Sequence, residues 1–284
     1  MRFLNTGTRD PGRVIGSESR LANRVTRHSS QAACRAFTMM ELAISLAIIG
    51  IALVAIVGVL PLGMNVQKEN REATLINQDA SVFLEAIRSG SRGLNDLTNY
   101  VYAITNNFGV YNVGGVFASY GMTGFTNAPS LLNSGTNIIG LLSTPEFMDS
   151  MGNPTNNLLN GGYSNHITAY VRSLSGLAVE KPPQDNDLVR EGSLAYRIYC
   201  VNAPVPVDTN YPAFGSAYNR QLAGNLHELR LTFLWPQQPN GALGAGRQTF
   251  RTLVAGQMQM VTNFVAGKPL VLYFYQPQTF VPSP

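Results

Sequence analysis

Glu41 carries the most unusual chemistry in the chain. It opens the stretch 42–67, 26 residues without a formal charge, most of them Leu, Ile, Val or Ala. A run of that length can cross a bilayer as a helix. An acidic side chain at mid-membrane costs about 2.5–3.5 kcal/mol on insertion scales, so a carboxylate at the entrance of this run marks a functional position. Two roles suit it. It can cap a signal-anchor helix, at the positive end of the helix dipole. It can also neutralise a cationic amine in the same apolar interface, where either charge alone would be expensive.

No group in the chain is set up for catalysis. The three histidines, His28, His166 and His227, have no metal-ligand spacing. Cys200 sits in the strand-like run 196–201 with no basic partner nearby and reads as a small buried hydrophobe. Asp185, Asn186 and Asp187, ahead of Glu191, offer oxygens of the kind a hard cation prefers. They do not follow a twelve-residue Ca²⁺ loop, and Pro182-Pro183 beside them suits a solvated turn. Residues 241–246 are glycine-rich but lie between strand candidates, as a hairpin loop would. No Gly-x-Ser-x-Gly, P-loop or dinucleotide fingerprint occurs. The expectation is a protein that is not an enzyme, with no catalytic residue, cofactor or metal.

The segment that delivers Glu41 to the membrane is basic. Residues 1–36 carry seven arginines against Asp10 and Glu18, a net +5, in a Ser-, Thr- and Gly-rich context. After the apolar run, Lys68 and Arg71 are balanced by Glu69 and Glu72. That asymmetry keeps the N-terminus in the cytoplasm and sends the C-terminal part across. A cleavable secretory signal fits less well, because its apolar core is shorter and a small-x-small site follows it.

Ala36-Phe37-Thr38-Met39-Met40-Glu41, between a basic leader and an apolar helix, resembles the class III signal of type IV pilins and type II secretion pseudopilins. Ala36 stands where that family most often has glycine. The likeness is specific over about residues 35–61. It implies that a prepilin peptidase cuts between Ala36 and Phe37 and methylates the new amine. Glu41 becomes the fifth residue of the mature chain, and pairs with the Phe37 amine of a neighbouring subunit during assembly. It further implies partners in other pilin-like subunits and an inner-membrane assembly platform, and an inner-membrane, single-pass location with a periplasmic C-terminal domain. The mature 248 residues would hold 13 basic and 14 acidic side chains, so the basic balance belongs to the leader and no nucleic-acid partner is expected. Cys34 would leave with the leader, and Cys200 alone cannot form an intrachain disulfide. Many pilins close a loop with one, so a pseudopilin of the secretion system is favoured over a minor type IV pilin serving adhesion or DNA uptake. A signal-anchored periplasmic enzyme or binding domain is a third reading.

Beyond the membrane the helix continues. Ala73, Ile76, Ala80, Phe83 and Ile87 step by three and four and form one apolar face, with Glu69, Arg71, Glu72, Asp79, Glu85 and Arg88 elsewhere. Pro61, with Gly58 and Gly63, predicts either a kink or a locally melted turn. A short second helix is expected over 94–102. The Asn-, Gly- and Ser-rich stretch 106–165 reads as a long loop with short strands, with one helical turn at 145–149. Strands are expected at 166–174, 193–202, 228–235, 248–254 and 269–276. In the clearest of these, Leu229, Leu231, Phe233 and Trp235 alternate with other residues, giving one buried face against the helix. The fold class is therefore α+β, a long N-terminal helix packed on a C-terminal antiparallel sheet, and this arrangement also resembles the pilin fold. Its parts are a leader (1–36), a transmembrane and assembly helix (37–66) and a periplasmic domain (67–284).

Overall fold

Helix α1 runs Met39–Arg88, 50 residues without interruption. The structure is a computed structural model that describes residues 37–126, 132–175, 192–205, 224–265 and 267–280. The chain divides into two compact units within this helix, Met1–Val59 and Leu60–Pro284. In the first, every described residue is exposed, including Ile44, Ile48, Ile51, Val54 and Val57. Apolar side chains exposed on all sides suit lipid or other apolar helices, not water. By length and composition the helix is able to cross a membrane. Residues 58–63 are helical throughout, Pro61 included, so the melted turn is not present.

In the second unit α1 turns one face to a sheet. Ile76, Ala80, Phe83 and Ile87 are fully buried, as the spacing predicts, and Ala73 packs at the margin. The sheet runs β2 (Val116–Thr126), β1 (Val101–Val113), β4 (Asn160–Arg172), β5 (Ala195–Pro204), β6 (Leu226–Gln237), β7 (Leu243–Ala255), all antiparallel, with the two-residue β3 (Phe147–Met148) against β4. Its register stacks the inward positions. Ile167 faces Cys200, Cys200 faces Leu231 and Ile198 faces Phe233, and these side chains line the core with α1. Strands β8 (Gln257–Val265) and β9 (Lys268–Gln276) form a separate hairpin. It packs with α2 (Gly135–Leu142), whose N-cap Ser134 accepts a bond from Asn137 N. A long helix against an antiparallel sheet is an α+β architecture.

The structure corrects several expectations. Residues 106–165 are not a long loop: they contain most of β1 and all of β2, joined by a tight turn at Gly114 and Gly115, both at positive φ. Residues 94–102 hold only a 3₁₀ turn, Asn95–Asn99, because Val101 already enters β1. Residues 145–149 are extended, not helical, since Phe147 and Met148 pair with Ser164 and Tyr163. The glycine-rich stretch is only partly loop: Gly244 and Gly246 lie within β7. Strand β8 was not anticipated.

The largest correction concerns Asp79. It lies on the buried side of α1 and is fully excluded from solvent. Its carboxylate accepts three hydrogen bonds, from Leu174 N at 3.0 Å, Ser175 Oγ at 2.7 Å and Tyr196 Oη at 2.9 Å. The donors come from the segment just after β4 and from β5, so the carboxylate fixes where the helix meets the sheet. Burial, reinforced by this carboxylate, pushes the Tyr196 hydroxyl well above its ordinary pKa.

Candidate functional site

The start of α1 is built by its own side chains. Thr38 N and Thr38 Oγ1 each donate to Glu41 Oε2 at 3.1 Å, and Glu41 N donates to Thr38 Oγ1 at 3.2 Å. Thr38-x-x-Glu41 is thus a reciprocal capping box, which satisfies donors the first helical turn leaves unpaired. The role of Thr38 was not anticipated, although the Thr-x-x-Glu spacing is the signal for it. The box holds the Glu41 carboxylate at the positive end of the helix dipole, one turn from Phe37. Glu41 Oε1 has no hydrogen-bond partner among the described residues. Phe37 is 84% exposed, next to an equally exposed Met39. The helix therefore begins with an apolar ring, a satisfied cap and one acidic oxygen still free to accept. The proposed cleavage partner Ala36 lies outside the described residues, as do His28, Cys34 and the acidic group from Asp185 to Glu191.

Elsewhere the described residues offer fewer groups of this kind. Among the described residues no three His, Cys, Asp or Glu side chains are grouped to hold a metal ion. Cys200 is buried and its thiol is pushed far above its ordinary pKa by burial, which suits a packing role. His166 is exposed on β4. A cleft of about 510 Å³ opens between β1, α2 and the β8–β9 hairpin. It is lined by Phe125, Met148, Met260 and Tyr273, with Asn106 and Thr123, and holds no carboxylate, imidazole, amine or thiol.

Comparisons with models of known protein families, with curated proteins and with solved structures return no match.

His227 is a structural group with a measurable consequence. It is 2% exposed and stacks edge-on against Tyr275, with ring centroids 5.6 Å apart. Burial lowers its pKa to about 4, partly offset by the backbone of Gly224. In the unfolded chain it takes a proton below about pH 6.5. Stability is therefore complete above that pH and declines as pH falls, because the unfolded chain binds a proton the folded chain refuses. The loss reaches roughly 3 kcal/mol near pH 4. Urea midpoints at pH 7.5 and pH 4.5 should show this decline in the parent protein and a smaller one in His227→Gln. Equal declines would assign the acid sensitivity to other groups.

Proposed function

We propose that the chain is a pilin-like subunit of a type II secretion pseudopilus, anchored in the inner membrane and assembled into a periplasmic filament that supports protein export. The observation that carries this reading is the single carboxylate, Glu41, held in the first turn of a helix whose next 26 residues are uncharged and whose described side chains up to Val59 are all exposed. An isolated anchor needs no such carboxylate. A subunit that must find a fixed axial position among identical helices has a use for it: a cationic amine at the neighbour's Phe37 gains a partner in a medium where an unpaired charge is costly. The prepilin peptidase that makes this amine, the other subunits and the assembly platform are the implied partners. The soluble part then stands in the periplasm, presented by the outer half of α1.

The capping box supplies a sharp test. Glutamine keeps the cap, since it accepts from the Thr38 backbone as glutamate does, but it removes the charge. Glu41→Gln and Glu41→Ala are both expected to insert normally, because losing a charge makes insertion easier. Both should fail to incorporate into filaments, as judged by crosslinking between subunits. If Glu41→Gln assembles like the parent chain while Glu41→Ala does not, Glu41 is a helix cap and the pairing role is wrong.

A further inference from the structure

The two edges of the large sheet differ in a way that points to a partner. Among the described residues, strand β2 pairs with β1 alone, and its outer backbone groups from Val116 to Phe125 have no other partner there. It is 11 residues long, Val-Phe-Ala-Ser-Tyr-Gly-Met-Thr-Gly-Phe-Thr, without a charge or a proline. Val116, Phe117, Tyr120 and Met122 are all more than half exposed. Natural sheets guard such edges with charges, proline, bulges or short strands, since an open, long, apolar edge templates pairing with another chain. The one irregularity, between Val110 and Tyr111, lies toward the hairpin turn and leaves 119–126 regularly paired. The opposite edge, β7, is marked differently, by Arg247 and Arg251, both exposed.

Register puts these groups on one face. The row Gly124–Thr105–Thr168–Tyr199–Thr232–Thr249 crosses all six strands of the path on the side away from α1. Two residues further along each strand the same face carries Met122 on β2 and Arg251 on β7, with Tyr120 the next outward residue on β2. The six strands alternate in direction, so the two edges run opposite ways. A displaced copy of the domain therefore offers its β7 to β2 in antiparallel sense, with Arg247 and Arg251, the latter 3.4 Å from Glu228, on the same side as the exposed Tyr120.

We infer that β2 is a docking edge for β7 of a second copy of this chain, joined head to tail by main-chain hydrogen bonds. The contact is heterologous, so it repeats along an assembly and does not close on a two-fold axis. It goes beyond the pairing of Glu41 and is independent of it.

The test uses the full-length chain in its own membrane, with Tyr120→p-benzoylphenylalanine as a photo-crosslinker. Light should produce a ladder of homo-adducts, dimers and larger, whose crosslinked peptide maps to residues 243–255. Met122→Lys, added to the crosslinking chain, places a charge on the open edge at an exposed position and should reduce the ladder at least about tenfold. Adducts confined to 116–126 of a second copy would mean two-fold pairing and overturn the inference. Adducts only to another protein, no adducts, or a ladder unchanged by Met122→Lys would overturn it equally. The N-terminus of the same samples separates this result from the pilin-like reading. A chain beginning at Phe37 without adducts overturns the edge contact alone, and an uncut chain with the ladder overturns that reading alone.

Discussion

Asp79→Ala is expected to destabilise the domain by about 3–5 kcal/mol, a large part of a total that is typically roughly 5–15 kcal/mol. Three donors lose their acceptor together: Leu174 N, Ser175 Oγ and the Tyr196 hydroxyl. Tyr196 is fully buried and cannot turn to water. A donor stranded in this way costs about 1–3 kcal/mol, and bonds to a charged acceptor are among the stronger ones. Asp79→Asn keeps one carbonyl acceptor and should lose less than half as much. Urea denaturation of the two variants measures the contrast. If Asp79→Ala unfolds at the parent midpoint, the carboxylate does not hold the helix to the sheet, and the packing described for α1 is wrong.

Phe83→Ala should cost about as much, by a different route. Phe83 is among the largest fully buried side chains, in one cluster with Leu229, Leu231 and Phe233. Truncating a buried Phe typically costs ~3–5 kcal/mol, the transfer of the ring plus the cavity it leaves. A fragment beginning at Gln67 is expected to unfold cooperatively, and the same fragment with Phe83→Ala to unfold at much lower denaturant or to be insoluble. Arg88→Ala, on an exposed residue, should stay within about 0.5 kcal/mol of the parent. An unchanged midpoint for Phe83→Ala would mean that the helix is not docked on β6.

Much of this was legible in the sequence because the signal was local and periodic. The steps from Ile76 to Ile87 and the alternation from Leu229 to Trp235 each repeat the geometry of their element, so the helix, its core face and β6 follow directly. Asp79 was not legible, since polarity normally marks the solvent side. Here the burial is compensated by donors 95 to 117 residues away, which no local pattern contains. The β1–β2 hairpin was hidden by composition. Gly109, Gly121 and Gly124 look like turn residues, yet they sit mid-strand, and the Phe108 ring lies where a side chain at Gly121 would have to be. That cross-strand fit, not strand propensity, explains a glycine there. At the candidate site, Glu41 stood out by its charge against an apolar run, but its coupling to Thr38 needed the helix start to be located.

The central claim is that Glu41 works with an amine made by cutting before Phe37. N-terminal mass spectrometry of the protein extracted from membranes tests it most directly, in a strain with an active prepilin peptidase. The account predicts a mature chain that begins with N-methyl-Phe37. Recovery of the membrane protein with residues 1–36 intact would contradict it.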